Sequence, residues 1–357
     1  MKRLDSDPEK FDALELYSRV SSDHGYKIGV DGDQNDFVER VAKSLKNALN
    51  SPTMIHGKRT EAMFAHVAGA MGACKLVKQE DSGASFVSAD DVAVPDYRIV
   101  TKSDQILLVE VKNFRMRSLS QRYTMKKPYL AKLQCYADMN KVPLKFAIYF
   151  SGVNQWILLS PSSFIDGDKT VYIDFAHAMA RNEMAVLGDR MICTLPPLIM
   201  SFEGDIEDER SKVDADGQAL FTIKQINMTC DGNSIDNDIE QRIAFYLMRY
   251  GSWVSNGIPA EVVDGKLKSF RFVFAPEQEG EPDDQPFHSL GTLSSMISSA
   301  FHELTVENDG VVSMDVRYDP AFFNLQIPEG YKGNSLPVWQ LVLQPNMEFG
   351  PQSAVTD

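Results

Sequence analysis

Apolar positions recur at helical spacing early in the chain and change to strand-like runs after residue 73. Within residues 36–45, Phe37, Val38, Val41 and Leu45 fall on one stripe, which predicts a helix. The Gly- and Asp-rich stretch 29–33 reads as a turn before it, and Ser51-Pro52 as its end. A second helix is predicted over 60–73, with Phe64, Val67, Ala68 and Met71 on its apolar face. Strands are then predicted at 74–78, within 92–100 and at 106–112. Gly83 marks a turn, and Ser103-Asp104 joins the last two strands as a hairpin. Pro95 opens the middle strand, where no ladder donor is required. The run 106–112 is the most apolar of them and reads as the central strand. A basic connection leads to a helix over 129–139, followed by strands at 146–150 and 156–159 around Gly152.

Beyond residue 186 the pattern is mixed. Strands are predicted near 219–228, 270–274 and 338–343, and helices near 238–248 and 290–304. Acidic, turn-rich loops fall at 203–216 and 277–286. Phe270, Phe272 and Phe274 alternate at strand spacing and read as one buried face, while Trp156 reads as core. At 357 residues the chain is longer than most single cores. The expected division is a helical N-terminal element over 1–50, a first α/β domain over 51–165, and a second α+β domain over 186–357. No internal repeat is evident.

Charge changes this picture more than composition does. The chain is 43% hydrophobic, which is ordinary for a globular protein, and its net charge is −14. Residues 56–160 nevertheless hold fifteen Lys or Arg against nine Asp or Glu, while the remainder holds 21 basic and 41 acidic residues. That asymmetry predicts a basic working surface set in an acidic body. No apolar run approaches the roughly 20 residues that span a bilayer. The start of the chain lacks the apolar stretch of a signal peptide, so a soluble, cytoplasmic protein is expected. Cys74, Cys135, Cys193 and Cys230 are far apart, and the six histidines show no ligand spacing. Free thiols are therefore expected, without a zinc site or a Cys/His nucleophile.

The chemistry centres on Ile106-Leu107-Leu108-Val109-Glu110-Val111-Lys112. Alternation along a strand points Glu110 and Lys112 the same way, roughly 7 Å apart. Two charges ending an apolar central strand need partners, because unpaired buried charge is costly. An ordinary salt bridge would answer, and so would a divalent cation with a phosphate ligand. Asp96 precedes Glu110 by fourteen positions, the right separation for a neighbouring strand across the Ser103-Asp104 hairpin. Two carboxylates brought together repel unless a cation lies between them, and oxygen-rich sites suit Mg²⁺ or Mn²⁺. Glu61 is expected in the first turn of its helix, where the macrodipole favours a carboxylate.

Glu61, Pro95-Asp96 and Glu110-Val111-Lys112, in this order and within a helix, three strands, a helix and further strands, resemble the PD-(D/E)xK nuclease superfamily. The nearest likeness is to its restriction-endonuclease-like and Holliday-junction-resolvase-like members. The resemblance covers about residues 51–160. It implies a restriction-endonuclease-like mixed sheet flanked by helices, with Asp96, Glu110 and the Val111 carbonyl holding Mg²⁺, for which Mn²⁺ can substitute. Lys112 would orient or activate the attacking water, and Glu61 would assist the first metal ion or a second. Gln134 matches, loosely, a helical polar position used near the scissile phosphate. Arg115, Arg117, Arg122, Lys126 and Lys127 would hold the nucleic-acid backbone, contacts that give affinity without sequence preference.

The implied activity is metal-dependent hydrolysis of DNA phosphodiester bonds, in a restriction or antiphage-defence setting. A repair or junction-resolving nuclease and a non-catalytic nuclease-fold scaffold are the rival readings. The acidic second domain is expected to bind a partner protein, to form a homodimer or to restrain the nuclease. Taken singly, Glu-x-Lys is a common strand-end pair, Pro-Asp a common turn, the basic run 115–127 a plain solvated loop and Gln134 a surface helix residue. Tyr129 reads as packing, and His56 and His66 as structural or exposed.

Overall fold

The computed structural model describes residues 1–3, 12–82, 86–88, 91–255, 257–277, 286–328 and 330–350. The turn expected at Gly83 and most of the loop expected at 277–286 lie outside them. The chain opens with helices α1 (Ala13–His24) and α2 (Asp31–Leu49), then α3 (Pro52–Ala70). Strands β1 (Cys74–Gln79), β2 (Tyr97–Thr101), β3 (Ile106–Phe114) and β4 (Tyr123–Lys126) follow. After them come α4 (Lys127–Asn140), β5 (Leu144–Phe150), β6 (Gln155–Leu159), β7 (Ile165–Asp166), β8 (Thr170–Ile173) and α5 (Phe175–Ala180). The later half contains β9 (Met191–Thr194), β10 (Leu198–Gly204), α6 (Asp238–Tyr250) and α7 (Leu293–Thr305), among other strands.

The architecture is mixed α/β. A five-stranded sheet runs in the order β1-β2-β3-β5-β6, so β3 is its middle strand. β2 and β3 are antiparallel through the turn at Asp104, which has φ 63°. β3 and β5 are parallel, joined by β4 and α4. On β3, Leu107, Val109 and Val111 face α3, while Leu108 faces α4. Both faces are covered, which is why the strand reads as a continuous apolar run.

One hydrophobic cluster joins α3 and β1–β3 to Trp156, α6, α7, Phe323 and Leu336. The other joins Leu108, Phe146, Ile148 and Phe150 to Leu133 and Ala137 of α4 and to Val171 and Ile173 of β8. Polar contacts tie the later half to the sheet as well. The Trp156 indole donates to Ser298 Oγ (2.9 Å), Asn154 donates to the Ser295 carbonyl (3.1 Å), and Arg59 donates to Thr305 Oγ1 (2.9 Å).

Two predicted elements differ from the observed ones in ways that matter for the site. α3 begins at Pro52, not at residue 60. Ser51 accepts the Met54 N–H, and Pro52 fits the first helical position because no donor is needed there. Glu61 therefore lies mid-helix, not in a first turn near the positive helix end. The basic connection after β3 is not all loop either. Its last part is β4, whose register pairs Tyr123 with Ile173 and Lys126 with Thr170 of β8.

In the later half, β10 lies between 223–230 and 266–275. Phe270, Phe272 and Phe274 share a face, but each stays half-buried. Phe274 packs on the main core, whereas Phe270 stacks on Phe202 at 4.7 Å. Cys74, Cys193 and Cys230 are buried free thiols, and Cys135 is half-buried. No described helix is long and apolar enough to cross a membrane.

Candidate metal and phosphodiester site

The second half of β3, which runs past the expected Lys112 to Phe114, and the residue before β2 bring Asp96, Glu110 and Lys112 together. Tyr97 pairs with Val109, so Asp96 stands one step outside the ladder, level with Glu110. Asp96 Oδ2 accepts the Val111 N–H at 2.6 Å. Glu110 is 2% exposed. Its Oε1 accepts both the Lys112 ammonium and the Tyr129 hydroxyl. Its Oε2 is buried and has no hydrogen-bond partner among the described residues. Each carboxylate thus has one oxygen anchored by the protein. Asp96 Oδ1 likewise accepts no hydrogen bond among the described residues.

The electrostatics follow from this geometry. Burial and then the Glu110 carboxylate push the Asp96 carboxyl up to about 7, with Glu61 adding to the rise. The Val111 N–H and Lys112 act against it. Burial alone would lower the Lys112 ammonium, but Glu110 and Asp96 outweigh it and raise it, so Lys112 is cationic at neutral pH. Burial and the hydrogen bond to Glu110 raise the Tyr129 hydroxyl well above its usual range, which keeps it a proton donor.

Glu61 approaches from the other layer. α3 lies on the Val109 side of β3, and the Tyr97 hydroxyl fixes its position by donating to the Glu61 carbonyl (3.0 Å). The Glu61 carboxylate pairs with Lys58 (2.6 Å), whose ammonium lies 4.0 Å from Asp81. Glu61 acts on Asp96 only through its field. Gln134 donates to Asp138 one turn further along α4 (2.8 Å).

The five basic residues divide. Lys127 pairs with Asp166 (3.0 Å), and the Arg122 guanidinium lies over the Tyr172 ring at 4.8 Å. Arg115, Arg117 and Lys126 are exposed, and none forms an ion pair among the described residues.

Tyr129 and Lys58 are site residues that sequence pattern does not single out. Tyr129 comes seventeen positions after Lys112, on a separate element, and no local spacing links the two. A neighbouring network was also invisible. Arg98 grips Glu80 through two bonds (3.0 and 2.6 Å), and Tyr136 donates to the same carboxylate (2.7 Å). This cluster pins α4 to the outer strands beside Asp96, whose carbonyl accepts the Glu80 N–H (2.8 Å).

Among the described residues, no three acidic, His or Cys side chains form a ready cation cage. The donor set nonetheless suits one divalent cation. Two carboxylates repel each other, and one buried oxygen has no partner among the described residues. Such an oxygen is costly unless something charged completes it.

No family model matches the chain, and no curated protein matches it. Among solved structures, it is similar to Hjc, a Holliday junction resolvase from the archaeal hyperthermophile Archaeoglobus fulgidus. The two share 15% identity and a TM-score of 0.29, over 37% of this chain and 96% of the resolvase. A likeness of that size carries no argument about this chain's chemistry.

Proposed function

We propose that this chain is a Mg²⁺-dependent endonuclease with a PD-(D/E)xK core, hydrolysing DNA phosphodiester bonds. The observation that carries this reading is the buried, unpartnered Oε2 of Glu110 beside an Asp96 whose carboxyl is raised to about 7. Asp96, Glu110 and the Val111 carbonyl would hold the cation, with Mn²⁺ able to replace Mg²⁺. When bound, the cation supplies charge to offset the phosphate and eases loss of a proton from water.

The chain's own residues do the rest. Lys112, held cationic by Glu110, presents a donor to the phosphate or to the attacking water. Tyr129 shares the same Glu110 oxygen and fixes that carboxylate's orientation. Glu61 adds negative field from α3, and release of Lys58 would free it for a second cation. Arg115, Arg117 and Lys126 offer unpaired positive charge to the backbone of the nucleic acid, while Arg122 and Lys127 already have neighbours to leave. We assign Gln134 to the phosphate-facing side of α4 on the resemblance alone. The same resemblance suggests restriction or antiphage defence. The acidic half 186–357 fits contact with a partner protein, or restraint of the nuclease, better than contact with DNA.

The test is cleavage of linear, circular and branched DNA, and of RNA, with Mg²⁺, Mn²⁺ or EDTA. Wild type is compared with Glu110→Ala and Lys112→Ala. Metal-dependent cutting that both substitutions abolish is the expected result. Preference for branched DNA would move the assignment to junction resolution. Absence of cutting by the wild type on every substrate would favour the scaffold reading.

A further inference from the structure

α1 and α2 contain no buried residue. An amphipathic hairpin that covers so little of itself leaves its apolar stripe open. On α2, Phe37 turns inward and meets the Tyr17 ring of α1 at 5.0 Å. At about 3.6 residues per turn, Val38, Ala42, Leu45 and Leu49 lie on a different stripe. Val38, Leu45 and Leu49 are 63%, 55% and 52% exposed. Single exposed apolar residues are ordinary, but an aligned row along about three turns marks a contact surface.

The charges beside this row identify its occupant. Glu39 and Lys46 flank the stripe on the same side, two turns apart, one on each side of Ala42 along the axis. Both are exposed, and neither forms an ion pair among the described residues, whereas Arg40 is already bound to Asp36 (2.7 Å). A second α2 laid antiparallel, with a two-fold axis at Ala42, sets Val38 against the partner copy's Leu45. The same operation sets Glu39 against the partner copy's Lys46, and each pair occurs twice. The small Ala42 side chains at the axis allow close approach. Antiparallel helix dipoles favour the arrangement, and a self-complementary patch is what a two-fold interface requires.

We infer that this chain forms a two-fold homodimer by antiparallel packing of α2 on α2, centred on Ala42. The inference does not depend on the nuclease reading. If that reading holds, α3 leaves the interface after only Asn50 and Ser51 and carries Glu61 to the site in each copy.

The experiment is sedimentation equilibrium of the full chain at neutral pH. A dimer is expected for the wild type, weakened at least tenfold by Leu45→Glu. Glu39→Lys should weaken it too, and adding Lys46→Glu to that variant should restore it. All these residues are exposed, and unchanged circular dichroism would show the fold intact. Ala42→Cys should give a spontaneous disulfide-linked dimer under mild oxidation, through its own copy. A monomeric wild type at 100-fold the working concentration would overturn the inference. So would a dimer indifferent to Leu45→Glu, or a double charge swap that fails to restore what the single change removed.

Discussion

Two parts of this molecule bury carboxylates and treat them in opposite ways. At the junction of β9 and α7, Asp189 is 6% exposed and accepts the Ser294 N–H (2.9 Å), the Ser294 hydroxyl (2.6 Å) and the Arg190 N–H (3.0 Å). On α6, Glu240 is 5% exposed, and its two oxygens take the N–H groups of Asn334 (2.7 Å) and Ser335 (3.2 Å). In the middle of β3, Glu110 is buried as deeply, yet one oxygen has no partner among the described residues and a second carboxylate stands beside it. Asp189 and Glu240 are staples: both oxygens of each carboxylate are engaged by donors that the fold supplies, although burial still raises the Asp189 carboxyl. Glu110 and Asp96 instead leave one buried carboxylate oxygen without a donor among the described residues, which is what the proposed cation would complete. The difference shows why burial alone does not mark chemistry: an incomplete donor count does.

The largest effect expected is on activity. Lys112→Ala should lower metal-dependent cleavage by on the order of 10³-fold, the usual scale for a positioned proton donor or acceptor. Asp189→Ala should leave the chemistry per folded molecule unchanged. Next in size is stability, where the order reverses. Asp189→Ala strands three donors and should cost about 3 kcal/mol, read from urea unfolding midpoints. Glu110→Gln removes repulsion with Asp96 and should change stability by less than about 1 kcal/mol while abolishing cleavage. A large stability loss in Glu110→Gln would erase the contrast between the two regions.

A pH scan sharpens the same point. Because the Asp96 carboxyl is raised from its ordinary 3.8 to about 7, the folded protein holds a proton that the unfolded chain has already released. Its ionisation therefore costs stability. In EDTA, the contribution should be level below pH 4, fall as pH rises from about 4 to 7, and level off above. Asp96→Asn should remove that slope, and the thermal unfolding midpoint in EDTA across this range measures it. The smallest effect belongs to the exposed bases. Replacing Arg115 and Arg117 with Ala should weaken DNA binding several-fold and reduce the slope of log affinity against log salt by about 1 to 2.

How far the sequence reveals this depends on whether the signal is local. The middle strand, its two charges and the hairpin to Asp96 are legible because period-2 alternation and a tight turn act over a few residues. The start of α3 is harder to see. Gly57 and His56 dilute the helical pattern, and the Ser51 cap with Pro52 resembles a break. β4 is hidden because its residues are partly charged and its partner, β8, lies more than forty positions on. Tyr129 reads as packing because its hydrogen bond to Glu110 depends on how α4 sits over the sheet. The completed donors of Asp189 and Glu240 depend likewise on contacts about a hundred residues apart. What the sequence shows of the site is the pair of carboxylates and the lysine; which oxygen is left unpaired is a property of the packing.

The central claim is that Glu110 on β3, with Asp96, forms a cation site while Asp189 and Glu240 are staples. Mn²⁺ binding, followed by its paramagnetic resonance signal at pH 8, tests this with wild type, Glu110→Gln and Asp189→Asn. One bound Mn²⁺ in the wild type and in Asp189→Asn, with none in Glu110→Gln, is the expected result. A wild type that binds no Mn²⁺, or a Glu110→Gln variant that binds it as the wild type does, would contradict the account.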